Sequence, residues 1–597
     1  MSPQEPMLAE AIAAHQRGDL QQAETLYRTV VEKNPQHADA YALLGIVMGA
    51  RGDFENALIW AEKAISLDPA SGLLRFHLGT ILLAAQKGPE AIVSFQRALA
   101  LQPDTAPIHF NLANALRASG DWVGAITHYR EALRCDANYL AAYNNLALSL
   151  VHEKDYEEAQ RVILRSLELD PDYGDGWLTL CNVAEKRKDY DVALKAGEKA
   201  ILLKADDHYA WFGYGVALNR LDRDLEAIKA YECALALNPQ RADILDNLAQ
   251  TYQSLNQLEK AEQVFREAVH VAGQAIADEE GREIDEREYG NRHWHLALIE
   301  LLRGKYRQGF ARYRARVNEI KELKRLSFPF PLWKGEDLRG KSLLVCDEQG
   351  YGDTLMLARF LPLLRARGVR IVFSVHKVLV PLFKDWDGAD QIVTHDGQVP
   401  ACDYFCSSFD LPHLMGTTLE TLPHHVPYIP VLSPDAATAL PAGGFKVGVV
   451  WGGSPLHGND HKRSVPLAIF AELFALSGIE FYSFNRDLKP GDADLLPFYK
   501  IENLVPRLID FAAAARLVGQ MDLIIACDTA TAHLAGALGK SVWVLLPFAP
   551  DWRWLTDRAD SPWYPTAHLF RQPRPGDWRS VIQEVKKSLS EQIVIKD

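Results

Sequence analysis

An α-helical solenoid followed by an α/β module of two parallel-sheet halves is the fold class that this sequence predicts, on three observations. A 34-residue period runs from about 4 to 275 without insertion. From about 341 the pattern changes to short apolar runs bounded by Gly, Pro or Asp that alternate with amphipathic segments, as in βα units of a parallel sheet. Residues 424–444, HHVPYIPVLSPDAATALPAGG, are rich in Pro and Ala and lack periodicity, so they read as a connection between two halves of that second module. At 597 residues the chain is too long for one core, which fits several modules.

The period is carried by small residues where paired helices cross and by Pro where the second helix stops. Residues 38–71 supply Tyr41, Leu44, Gly45, Ala57, Ala64 and Pro69. Residues 72–105 supply Leu78, Gly79, Ala91, Phe95, Ala98 and Pro103, and residues 208–241 supply Trp211, Gly215, Ala227, Tyr231, Ala234 and Pro239. Ala23, Ala125, Ala159, Ala193 and Ala261 hold the same register, which gives eight hairpins of the tetratricopeptide type over 1–275. Ser166 and Gly197 depart from the pattern and predict looser packing near the middle. Such solenoids expose a long concave surface suited to binding a protein or a second copy of the chain.

Residues 276–335 read as a charged linker, AIADEEGREIDERE, and a degenerate ninth hairpin with Leu296, Ala297, Gly309, Tyr313 and Arg316 in the repeat register, closed by Pro329 and Pro331. Strands are predicted at 342–346, 370–375, 445–450, 479–484, 521–527 and 541–547, with helices at about 353–366, 466–476, 509–519 and 528–538. The first half then spans 336–430 and the second 431–597.

Composition excludes several classes. Hydrophobic residues make up 48% and charged residues 24%, the balance of a chain that folds throughout. A net charge of -14 and a pI near 5.8 disfavour nucleic acid and anionic lipid as partners. The N-terminal residues lack a basic stretch followed by an apolar one, and no run reaches the ~18 apolar residues of a membrane span, so a cytoplasmic location is expected. Seven scattered cysteines fit reduced thiols. Cys402 and Cys406 stand without a second pair or a His cluster, and Asp385-Trp-Asp387 lacks further ligands, so metal-independent chemistry is expected.

Four segments prompt a family assignment: DEQGYGDTLMLARFLPLLRARG (347–368), VVWGGSPLHGNDHKRSVP (449–466), CDTATAHLAGALGKSVWVLLPFAPDWRW (527–554) and DSPWYP (560–565). In this order they resemble bacterial tetratricopeptide-repeat glycosyltransferases related to the heptosyltransferases. The resemblance covers about 290–590 and implies a GT-B fold, two Rossmann-like halves facing a cleft, with the acceptor on the first half and a nucleotide-sugar on the second.

The residues themselves support chemistry at these turns. Gly350 and Gly352 follow a strand and open a helix, but Leu355 stands where a dinucleotide fingerprint needs its third glycine. The resemblance implies that Asp353 deprotonates the acceptor hydroxyl; a helix cap is the plainer role for the same residue. Glu348 is a second candidate for the base. Asp528, Thr529, Ala530, Thr531 and His533 open a helix after a strand, where free N–H groups suit a departing phosphate. Thr529 and Thr531 add hydroxyls, His533 either meets the phosphate or faces the core, and Asp528 is suited to sugar hydroxyls or to holding the loop. Ser454, Asn459, Lys462 and Arg463 in the loop after 445–450 bring cations to the same side. Asp551, Arg553, Trp554, Trp563 and Tyr564 line the cleft or pack between the halves. In the repeats, Asn111, Asn145 and Asn247 recur in NLA triplets and resemble the asparagine ladder with which O-linked N-acetylglucosamine transferases hold a peptide backbone; capping or solvating an inner helix face is the plainer role for them.

The expected activity is inverting transfer of a sugar from a nucleotide donor, with no other cofactor, to Ser or Thr of a protein bound by the repeats. By resemblance, flagellin is the favoured acceptor and a nonulosonic acid such as pseudaminic acid from its CMP donor the favoured sugar, ahead of ADP-, UDP- and GDP-sugars. The alternatives are a lipopolysaccharide or capsule transferase using a heptose-like donor, and a repeat scaffold without catalysis.

Overall fold

A computed structural model describes residues 5–278, 286–318, 328–455 and 458–596. Residues 279–285 of the charged linker, 319–327 ahead of the second module, and Leu456 and His457 of the basic loop lie outside the described residues. The chain forms two compact units, Met1–Pro239 and Gln240–Asp597.

The first unit is a run of helical hairpins from Glu5–Gln16 to Asp224–Leu237. Second helices start on the aspartates that the repeat places ahead of them. The side chains of Asp19, Asp53, Asp121 and Asp155 accept hydrogen bonds from Gln22, Asn56, Gly124 and Glu158 backbone N–H, satisfying donors that a helix start leaves open. Ala23, Ala57, Ala91, Ala125, Ala159, Ala193 and Ala227 are all fully buried where the helices cross. Gly79 and Gly215 are equally tight: a Cβ at either would lie 2.6 Å from the ring of Phe95 or Tyr231. The looser middle expected at Gly197 does not occur, because Tyr214 from the next hairpin closes on it, with its Cα 3.0 Å from the position of an added Cβ. Ser166 is buried and its hydroxyl bonds Ile163 O at 2.8 Å.

The second unit begins with the hairpin Ala242–Ser254 and Leu258–Asp278, followed by Glu286–Leu302 and Tyr306–Tyr313. Strands β1 (Ser342–Cys346), β2 (Arg370–Val375), β3 (Gln391–Thr394) and β4 (Tyr404–Ser407) form a parallel sheet in the order β3-β2-β1-β4. Strands β5 (Phe445–Val450), β6 (Ile479–Ser483), β7 (Glu502–Asn503), β8 (Leu523–Cys527), β9 (Val542–Leu546) and β10 (Ala567–Arg571) form a second parallel sheet in the order β10-β9-β8-β5-β6-β7. The central strands β1, β5 and β8 are buried and apolar, as short Val- and Ile-rich runs of a parallel sheet require, while the edge strands β3 and β7 are partly or wholly exposed. The predicted single helix at 353–366 is instead broken into Tyr351–Leu357, a 3-10 turn at Ala358–Phe360 and Leu361–Arg365, with Pro362 opening the last piece.

The ninth hairpin is built into the α/β part. Arg316 stands where the repeat would place a small residue, and its fully buried guanidinium grips Glu348 through Nε at 2.5 Å and Nη2 at 2.9 Å, and Asp410 through Nη1 at 3.2 Å. The Ser407 hydroxyl also donates to Glu348. Tyr313 stacks on Phe409, and Tyr306 and Phe310 pack on Trp552.

Arg316→Ala strands two buried carboxylates, so it should destabilise the second unit by about 3–5 kcal/mol, and Arg316→Ala with Glu348→Gln should recover part of that loss. Urea unfolding of the full chain reads both; a loss under about 1 kcal/mol in the single variant would show that the pair contributes little.

Candidate functional site

In an open parallel sheet, ligands sit beyond the carboxyl ends of the strands where the strand order reverses. In the second sheet that point lies between β5 and β8. The loops after these strands carry the predicted donor residues, and they touch: Arg463 Nη1 donates to Asp528 O at 3.1 Å. The Arg463 guanidinium also faces Asp460 at 3.4 Å and packs against Gly453, where a Cβ would come within 2.5 Å of it. The Ser464 hydroxyl bonds Asp460 and accepts from Gly453 N–H, so the loop is braced. Ser454 is partly buried, while Asn459, just ahead of the short helix Asp460–Arg463, and Lys462 on it are exposed.

Beyond β8, Thr529 precedes the helix Ala530–Ala537, and its hydroxyl bonds Cys527 O at 3.2 Å. Ala530 and Thr531 stand half-buried on the first turn. His533 faces the interior. Its Nδ1 pairs with the Tyr564 hydroxyl at 2.9 Å, its Nε2 faces Asp528 at 3.6 Å, and its ring stacks on Trp554. Burial alone would raise the Asp528 carboxyl, but the His533 hydrogen bond and the charges of His533 and Arg553 hold it below the ordinary carboxylate value.

In the first sheet β1 runs into the turn Asp347–Asp353. Asp353 does cap the helix Tyr351–Leu357, accepting from Gly350 N–H at 3.0 Å, and its other oxygen forms an ion pair with Arg553 of the second half. Arg553 also bonds Asp551 at 2.6 Å, and although burial opposes its charge, Asp353 and Asp551 raise its pKa well above the usual value. The two halves meet closely here: a Cβ on Gly352 would lie 2.7 Å from His533 Cδ2 and 3.5 Å from Ala530 Cα. Glu348 is removed from this edge by its buried pairing with Arg316. Trp563 and Tyr564 are fully buried between segments, Trp563 Nε1 donating to Tyr306 OH at 2.9 Å.

Sequence reasoning missed a polar group at the same edge. Asp347, His376 and His395 follow β1, β2 and β3, which are neighbours in the sheet. His395 Nε2 bonds Asp347 Oδ1, while Asp347 Oδ2 accepts from Thr354 Oγ1 at 3.1 Å and from His376 N–H at 3.3 Å. No short motif marks this group, because its members lie on three separate strands.

The three repeat asparagines are engaged within the fold. Asn111 and Asn247 donate to the carbonyls of Pro107 and Asp243 one turn back in their own helices, each at 2.8 Å. Asn145 donates to Asn114 at 3.0 Å, within a network in which Tyr129 bonds Asn114 and Thr179 bonds Asn144.

Asp353→Asn keeps an acceptor for Gly350 N–H but leaves Arg553 with one carboxylate. It should cost roughly 2–3 kcal/mol of stability, the worth of a hydrogen bond to a charged group. A denaturation midpoint unchanged from wild type would show that the ion pair does not tie the halves.

The tetratricopeptide-repeat family matches residues 8–72, 76–139, 116–181, 178–242 and 241–276. Protein FlbA of Caulobacter vibrioides is 26% identical over 447 residues, spanning 65% of this chain and 74% of its own length. That share exceeds what the repeats occupy. Among solved structures, PilF of Pseudomonas aeruginosa shares 20% identity over 35% of this chain and 94% of its own, with a TM-score of 0.32. YrrB, a tetratricopeptide protein with an unusual peptide-binding site, shares 21% identity over 31% of this chain and 95% of its own, with a TM-score of 0.27. No helix among the described residues is long and apolar enough to cross a membrane. The first part of the chain is a solenoid of tetratricopeptide repeats, and an α/β region with two parallel sheets follows it.

Proposed function

We propose that the chain is an inverting, nucleotide-sugar-dependent glycosyltransferase of the GT-B plan, whose repeats bind the protein that carries the acceptor Ser or Thr. The observation that supports this most is the meeting of the two carboxyl edges. The helices that follow β1 and β8 touch at Gly352 and His533, so Asp353 and Arg553 pair across the junction while Arg463 and Asp528 meet on the side of the second sheet. Open N–H groups of the first turn of 530–537 and the Arg463 guanidinium suit a departing phosphate, because both are fixed before charge develops on it. Lys462 on the same loop adds a second cation. The acceptor hydroxyl would lose its proton at the edge of the first sheet, where Asp353 and Asp347 stand. Flagellin as acceptor and a CMP-linked nonulosonic acid as donor follow from the family resemblance of the motifs.

Thermal melting of the full chain with CMP, UDP, GDP and ADP tests the reading. One nucleotide at a hundred times its dissociation constant should add about 2.7 kcal/mol of stability. Lys462→Ala with Arg463→Ala should remove most of that shift. If none of the four nucleotides raises the melting temperature, the transferase reading fails.

A further inference from the structure

We propose that His395, oriented by Asp347, is the group that takes the proton from the acceptor hydroxyl; this rests on the transferase reading above. The acidic candidates at this edge are already engaged. Asp353 has a partner on each oxygen, Gly350 N–H and Arg553, and Glu348 is buried against Arg316. Protonation would discharge either carboxylate and weaken the ion pair with its arginine, and Glu348 already accepts from Arg316, Gln349 and Ser407 on its two oxygens.

His395 has the opposite arrangement. Its Nε2–H donates to Asp347, which leaves the lone pair of Nδ1 open, and among the described residues Nδ1 has no hydrogen-bond partner. Its side chain is 49% exposed, while the Asp347 side chain is only 6% exposed and is held by Thr354 and His376 N–H. A buried carboxylate that fixes one nitrogen of a half-exposed imidazole and leaves the other without a partner is the working half of a hydrolase triad, and it sets the tautomer in the same way. The hydrogen bond to Asp347, with the Asp347 and Asp396 charges, raises the imidazole pKa above its ordinary value despite partial burial. Among the described residues, the other groups near it are His376, at the end of β2, whose ring centroid lies 6.1 Å from its own, and Lys377, whose charge acts on Asp396. Thr354, the residue after Asp353, holds Asp347, so Asp347 shares the turn after β1 with Asp353, and His395 meets it from the end of β3.

The step balances. The acceptor oxygen forms its bond to the anomeric carbon as its proton passes to His395 Nδ1. The bond from that carbon to the donor phosphate breaks, and its electron pair leaves on the phosphate oxygen. The resulting imidazolium is held by Asp347 and returns its proton to solvent from the half-exposed ring.

The test uses the full chain with UDP-N-acetylglucosamine, GDP-mannose, CMP-N-acetylneuraminic acid and ADP-glucose, and follows nucleotide release with water as acceptor against pH. His395→Asn should lower release 10²–10⁴-fold while the melting shift given by the bound nucleotide is retained. A neutral imidazole is the active form, so release should rise with pH as His395 loses its proton. Asp347→Asn removes the charge that favours imidazolium and should move that rise to lower pH, which a merely structural role would not do. His395→Asn within threefold of wild type, or a rise that stays in place in Asp347→Asn, overturns the assignment to His395 alone. Wild-type protein that neither binds a nucleotide nor releases one overturns the transferase reading, and this inference with it.

Discussion

The Arg359 guanidinium is the constraint on which the second unit depends. It is 3% exposed and has no carboxylate partner among the described residues; instead it donates to the carbonyls of Met356, Pro423 and Trp563 and to the Tyr428 hydroxyl. The faces of Tyr428, Trp563 and Tyr564 lie 4.6, 5.2 and 4.8 Å from its central carbon. A buried cation needs every donor satisfied, and here the acceptors come from the first half, from the connection between halves and from the segment beyond β9. None of these can shift without exposing the charge to an apolar environment. Arg316 is held in the same way by carboxylates, and Arg553 pairs with Asp353 and Asp551 although its buried Nε has no partner among the described residues, so the α/β region is held by cations placed where segments distant in sequence converge.

That arrangement explains which chemistry the edge can host. Groups that serve as structural counter-ions are rigid and satisfied, and they orient the groups beside them without exchanging protons themselves. The open nitrogen of His395 is what remains free to take up a proton among these groups. The site thus separates a fixed frame, Gly352 against His533 and Asp353 against Arg553, from a small set of polar atoms that solvent or a ligand can reach.

Much of the fold was legible because it is encoded locally. β1, β2 and β5 fall on the residues predicted for them, since a fully buried strand needs an uninterrupted apolar run bounded by turn residues. The hairpins were legible for the same reason, each crossing demanding a small residue at a fixed interval. Ion pairs are different. Asp353 is readable as a cap from its own turn, but its partner Arg553 lies 200 positions away and nothing in either segment announces the other. Glu348 reads as a spare acid until Arg316, itself a repeat residue of the wrong size, is seen to neutralise it. His395 carries no local signature, because the sheet order alone brings it to Asp347.

The contact between Gly197 and Tyr214 bears on how such a chain can change over time. In the hairpins 72–105 and 208–241 the aromatic that fills the crossing belongs to the same repeat as the small residue it covers, Phe95 over Gly79 and Tyr231 over Gly215. At Gly197 the filler is borrowed from the successor. Loss of hairpin 208–241 alone would leave Gly197 without the residue that packs on it, so the hairpins 174–207 and 208–241 should be kept together as the chain changes.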